Sequence, residues 1–279
     1  MKDILVAIDL DIATALIIKQ VIELSGGGYT TIHLLHVYNL NNDTGKDNGS
    51  KEGTSGGPDK ADLVEKFKQW KMCLQEAIPA GKVKGYLLTG MVHQCILEVA
   101  KDIKPQLIVI GKPEKARRFS FYKSLNADEL SRSSKCPVLS VMNKDWHNKT
   151  KTILLPVRDF IPVRKIELLA VFAKIYRARI FLVAMQNNFF VREKEQQVLL
   201  ETYRVLRNGL NNKVEYRLLK GNNFPRAIAT YAEEIAADIL IVNPKTETRV
   251  SSIFRTAISD ILPTNSQLKI LSVVPYDDM

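Results

Sequence analysis

Short, nearly continuous apolar runs alternate along this chain with longer segments whose apolar positions recur every three or four residues. Ile4-Leu-Val-Ala-Ile8, Ile32-His-Leu-Leu-His-Val37, Leu107-Ile-Val-Ile110 and Val138-Leu-Ser-Val141 are of the first kind. Runs of that sort, bounded by turn residues, suit parallel strands covered on both faces. Between them, Val92, Cys95, Ile96, Val99, Ala100 and Ile103 fall on one face of a helix over Met91–Ile103. The pattern reads β-α-β-α-β-α-β-α-β. It predicts an α/β protein with right-handed crossovers and a doubly wound sheet. Such sheets take ligands at the carboxyl ends of strands, where the strand order reverses.

The pattern occurs twice. DILVAIDLDIATALIIKQVIELSGGGYTTIHLLHVYN is matched by TILLPVRDFIPVRKIELLAVFAKIYRARIFLVAMQN, and KVKGYLLTGMVHQCILEVAKDIKPQLIVIG by KVEYRLLKGNNFPRAIATYAEEIAADILIVN. Leu88-Thr-Gly90 answers Leu219-Lys-Gly221, and Leu107–Ile110 answers Ile239–Val242. The offset is 149 residues at the start and 131 further on. The difference is one insertion, Asn39 to Asp59, rich in Gly, Asn, Asp and Ser without apolar period, which reads as a mobile surface loop. Two tandem domains are expected, 1–145 and 150–279, joined by the polar stretch around Asn143 to Thr150. Trp146 there reads as a packing anchor.

Composition changes this picture little. The chain has 279 residues, 46% hydrophobic and 25% charged, as in ordinary globular proteins. No apolar run approaches the roughly 18 residues a membrane helix needs. The N-terminal apolar stretch carries acids, so it does not read as a secretory signal, and the cytoplasm is the expected location. Cys73, Cys95 and Cys136 lack CxxC spacing and read as packed thiols. The net charge of +10 is spread over both repeats, +4 in residues 1–149 (21 basic, 17 acidic) and +6 in the rest (19 basic, 13 acidic). With no polybasic tail, finger spacing or aromatic RNA-binding run, nucleic acid is not the expected partner.

Ile4-Leu-Val-Ala-Ile-Asp9, Leu34-Leu-His-Val37, Leu107-Ile-Val-Ile-Gly111 and Cys136-Pro-Val-Leu-Ser-Val141 resemble the universal stress protein family, and the resemblance extends over both repeats. The chain looks like a tandem member of the kind found in bacteria. The resemblance implies two Rossmann-like domains, each a five-stranded parallel sheet flanked by helices. It also implies that the last strands, Val138–Val141 and Ile270–Val274, pair within the chain. Many members bind ATP or AMP. Binders carry Gly, two residues, Gly, nine residues, Gly and then Ser or Thr after the fourth strand, because glycines let phosphates approach backbone N–H groups.

By that resemblance the first repeat keeps Asp9 for the adenosine portion, Val37 beside adenine, Gly111 as first glycine and Ser124 at the end. Glu114 and Lys123 stand where two glycines would be. The second repeat has Arg158 where Asp9 stood, followed by Asp159, and Asn243 for the first glycine, so the usual ATP binding is not expected there. Lys112, Lys115, Arg117, Arg118 and Lys123, less Glu114, give the first loop a net +4. That charge reads as a solvated basic loop, or as an anion site using side chains where glycine amides were lost. Phe119, Phe121 and Tyr122 read as packing. Asp9 reads equally as a helix cap. His33 and His36, three apart in a strand, point to opposite faces and exclude a shared metal site. His93 falls near a helix start. Ser124, Ser131 and Ser133 lack a His/Asp constellation or GxSxG elbow.

The expectation is a non-catalytic stress-response protein acting by contact with other proteins or by self-association, with no cofactor and no membrane partner. The alternative is an AMP- or ATP-binding sensor using the first domain only. A slow nucleotide hydrolase is the weakest reading, since no metal-binding carboxylate pair is evident.

Overall fold

The computed structural model describes residues 1–11, 14–26, 28–38, 60–112, 125–142, 150–186, 193–221, 223–248 and 267–276. The insertion at 39–59, Trp146 and the basic loop 113–124, with Ser124, lie outside them.

The first repeat runs β1 (Asp3–Ala7), α1 (Thr14–Ser25), β2 (Thr31–Tyr38), α2 (Lys60–Ala77), β3 (Lys82–Thr89), α3 (Val92–Ile103), β4 (Leu107–Lys112), α4 (Ala127–Ser134) and β5 (Val138–Met142). The second runs β6 (Thr152–Pro156), α5 (Val163–Tyr176), β7 (Arg179–Gln186), α6 (Glu193–Gly209), β8 (Val214–Lys220), α7 (Phe224–Glu234), β9 (Ile239–Val242) and β10 (Lys269–Ser272). The helix expected between β9 and β10 falls outside the described residues. The alternation read from the apolar pattern is therefore present, and the protein is α/β.

The chain divides into two compact units. One holds β1 to β4 with α1 to α3. Its strands are all parallel, in the order β3-β2-β1-β4. The central strands β1 and β2 are buried apart from the half-buried Asp3, Thr31 and Tyr38 at their ends, while β3, at the edge, exposes Lys82 and Lys84. Lysines on an edge strand discourage pairing with another chain. The five buried residues of α3 (Val92, Cys95, Ile96, Val99, Ala100) are on the stripe that the spacing predicts.

The other unit holds α4 and β5 together with the whole second repeat. Its order is β5-β10-β9-β6-β7-β8. Among the described strands of this unit only β5 runs antiparallel, with Leu271 opposite Leu139 and Ser272 opposite Val138. The pairing of the two last strands is thus present within one chain. It also explains why the compact unit begins earlier than the sequence repeat: the last helix and strand of the first repeat are held by the second repeat's sheet. Asn126 caps α4, its side chain accepting from the N–H of Asp128 and Glu129.

The matched glycines have a backbone reason. Gly90 and Gly221 end β3 and β8 with φ of +135° and +134°, a region that side chains rarely adopt. Cys95 and Cys136 are buried as expected. Cys73 differs and is exposed, because it lies off the narrow buried stripe of α2 formed by Phe67 and Leu74.

Candidate functional site

Strand order reverses between β1 and β4 in the first unit and between β6 and β9 in the second. Those are the two places where a doubly wound sheet opens a crevice at its carboxyl edge.

In the first unit, Ala7 of β1 is in register with Leu35 of β2 and Ile110 of β4. Asp9, Val37 and Gly111 therefore stand at the carboxyl ends of three neighbouring strands. Val37 is buried, and Asp9 and Gly111 are half-buried. The turn after Asp9 places Leu10 at φ +50°. A left-handed leucine is costly, roughly 1–2 kcal/mol, and such positions cluster at functional sites. His36 braces this strand end, its Nδ1–H donating to the Ile8 carbonyl at 2.8 Å. Burial holds the His36 pKa below its ordinary value, and the bond to Ile8 opposes that shift.

The second unit is arranged differently. Lys165 sits in the first turns of α5, on the same stripe as the buried Leu169, Phe172 and Ala173, and is 1% exposed. Its ammonium donates to both carboxylate oxygens of Glu247 at 2.9 Å and to the Pro156 carbonyl, at the end of β6, at 2.7 Å. Glu247 is equally buried and accepts from the backbone N–H of Asn243 at 2.8 Å. A protein carboxylate thus occupies the crevice, held by a lysine and by the amide that follows β9. Burial pulls the Lys165 pKa down, and the charge of Glu247 opposes that.

Further contacts are made at the same strand ends. Arg158 donates to the Thr246 carbonyl at 3.2 Å, and its guanidinium lies 5.5 Å from the Phe224 ring centre. Lys245 adopts φ +68°, and its N–H donates to Thr248 Oγ1 at 3.0 Å, which folds the loop back on itself. Thr248 Oγ1 in turn donates to Asp128 of α4.

The structure brings Asp9, Val37 and Gly111 together, and places Arg158 and Asn243 at the matching edge of the second unit. Sequence reasoning missed Lys165 and Glu247. The signal was present: a lysine in phase with the apolar stripe of VRKIELLAVFAKIY needs a buried partner. Its partner follows from the fold and not from spacing. His33 and His36 have separate partners, as their alternation requires. Among the described residues no group of three or more His, Cys, Asp or Glu is placed to hold a metal, and no helix is long and apolar enough to cross a membrane.

A doubly wound α/β protein with strand-end crevices is the class the fold defines. The model of the universal stress protein family matches residues 1–141, and the chain belongs to that family. A universal stress protein from Archaeoglobus fulgidus is similar in structure, at 17% identity and TM-score 0.64, over 99% of this chain and 97% of that one. A functionally unknown protein from Pseudomonas aeruginosa is similar at 16% identity and TM-score 0.60, over 100% and 94%. The cytoplasmic domain of a prokaryotic cation chloride cotransporter follows the same course at 10% identity and TM-score 0.56, over 98% and 95%. These likenesses concern the fold. No curated protein matches the chain.

Proposed function

We propose that the chain is a non-catalytic, cytoplasmic universal stress protein that serves the stress response by contact with other proteins, its second repeat closed to nucleotide. The observation that carries this reading is the Lys165–Glu247 pair in the second crevice. An anion entering there would have to displace a carboxylate that already accepts three hydrogen bonds, two from Lys165 and one from the Asn243 N–H. Exposed apolar side chains beside that crevice, Phe160, Ile161 and Val163, supply a surface for contact. The test is a calorimetric and thermal-shift titration with ATP, AMP and an uncharged nucleoside at low salt. No stabilisation by millimolar nucleotide supports the reading, and a saturable rise in Tm sinks it.

One observation favours a second reading, an AMP or ATP sensor confined to the first repeat. Asp9, Val37 and Gly111 share one carboxyl edge around a left-handed Leu10. Binding at that edge is lost on Asp9→Ala and untouched by Glu247→Gln.

A further inference from the structure

Far from the strand-end crevice, at the other end of the first unit's sheet, three side chains stand in line. His33 of β2 is 2% exposed. Its Nε2–H donates to Asp3 Oδ1 at 3.2 Å, and its Nδ1 accepts from the Tyr86 hydroxyl at 2.9 Å. The His33 and Tyr86 rings stack, their centroids 5.7 Å apart. One tautomer satisfies both bonds. Tyr86 itself is half-buried on the edge strand β3. Lys84 is the register partner of His33, so the two share a sheet face, and Tyr86, two residues on, shares it too. Lys82 follows the same alternation, and both lysines are exposed.

A hydroxyl bonded to an imidazole that is oriented by a carboxylate is the arrangement that activates a nucleophile. Burial and the charge of Asp102 hold the Tyr86 pKa above its ordinary value. A free phenolate is therefore suppressed, and reactivity requires a base within reach of the proton, which His33 is. We propose that Tyr86 is a covalent modification site that accepts an acyl group from an anionic activated acyl donor of the acyl-phosphate class. Tyr86 Oη forms a bond to the acyl carbon as the carbon–oxygen bond to phosphate breaks. The phenolic proton passes to His33 Nδ1, and phosphate leaves with the bonding electrons. Asp3 holds the resulting imidazolium. Lys84 and Lys82 attract the anionic donor and favour the acyl carbon of a charged molecule over neutral esters. Asp3 is a positioning residue, and the site is separate from the strand-end crevice of its own unit.

The test treats the full chain with acetyl phosphate and, separately, with neutral N-acetylimidazole, and quantifies acetylation at each tyrosine by mass spectrometry. Tyr29, 91% exposed, is the internal control. Tyr86 is expected to be acetylated at least about tenfold faster than Tyr29, a conservative share of what a positioned base provides, with the larger margin for acetyl phosphate. His33→Gln brings Tyr86 down to the rate of Tyr29 and alters the pH profile of Tyr86 acetylation. Groups facing the site in that profile are Asp3, His33, Lys82, Lys84, Tyr86 and Asp102. Equal labelling of Tyr86 and Tyr29 in the unaltered chain overturns the proposal without recourse to a variant. So does a rate unchanged in His33→Gln, or phosphorylation of Tyr86 in place of acetylation.

Discussion

Ser272 of β10 donates its hydroxyl to Asp128 of α4 at 2.6 Å, joining residues 144 positions apart. The other oxygen of that carboxylate accepts from Thr248, and Ser131 of the same helix donates to the Ser272 carbonyl at 3.1 Å. One carboxylate therefore satisfies two otherwise buried hydroxyls and fastens the last helix of the first repeat to the sheet of the second. Asp128→Ala removes the acceptor of both hydroxyls, and Thr248 keeps only the bond it accepts from the Lys245 N–H. A loss of about 1–3 kcal/mol is expected, read as a lower urea midpoint for the unit that holds α4. A midpoint equal to that of the unaltered chain would show that the stitch is redundant.

Breaking the Lys165–Glu247 pair from one side strands a charge in an environment where both partners are 1% exposed. Lys165→Met is expected to cost about 3–5 kcal/mol, and Lys165→Met with Glu247→Leu to recover most of it. Thermal denaturation of the two single variants and the double one measures the coupling. Additive losses would mean that the two side chains do not act as a pair.

Stability should also depend on pH through His36. In the unfolded chain its imidazole titrates near 6.5, and burial holds it lower in the fold. As pH falls the unfolded chain takes the proton first, so stability is full above 6.5 and is lost as pH drops through that value towards the folded one. His36→Gln should flatten this part of a stability profile taken between about pH 8 and pH 5. An equally steep acid loss in the variant would assign it to other groups.

Gly90 and Gly221 are expected to resist substitution for a backbone reason. A Cβ at Gly90 would meet Cys95 Sγ at 3.4 Å and one at Gly221 would meet Met185 Cε at 3.9 Å, so there is room for it. The loss on Gly→Ala, about 1–3 kcal/mol, then comes from φ alone. Melting curves for the two variants should show similar losses, and a neutral substitution at either would refute the conformational argument.

Much of the fold was legible in the sequence, because an apolar strand and an amphipathic helix each carry their own period. Val92, Cys95, Ile96, Val99 and Ala100 announce the buried face of α3 directly. The carboxyl-edge positions Asp9, Val37 and Gly111 could be placed because they follow strand ends. What spacing does not carry is contact between distant segments. Nothing local in Glu247 says that it meets Lys165, 82 positions earlier, or that Asp128 is held by β10. Nor does the alternation that sets His33 and His36 on opposite faces reveal that His33 lies between Asp3 and Tyr86. Those relationships come from strand order, and the order emerges only when both repeats are folded.

The most direct test of the account is the number of nucleotide sites on the full chain, counted by isothermal titration with ATP at low salt. No saturable site is expected, and Glu247→Gln, which keeps the side chain in the crevice, should not create one. A single site abolished by Asp9→Ala would replace contact with first-repeat sensing. A site that survives Asp9→Ala would contradict the claim that Glu247 closes the second crevice.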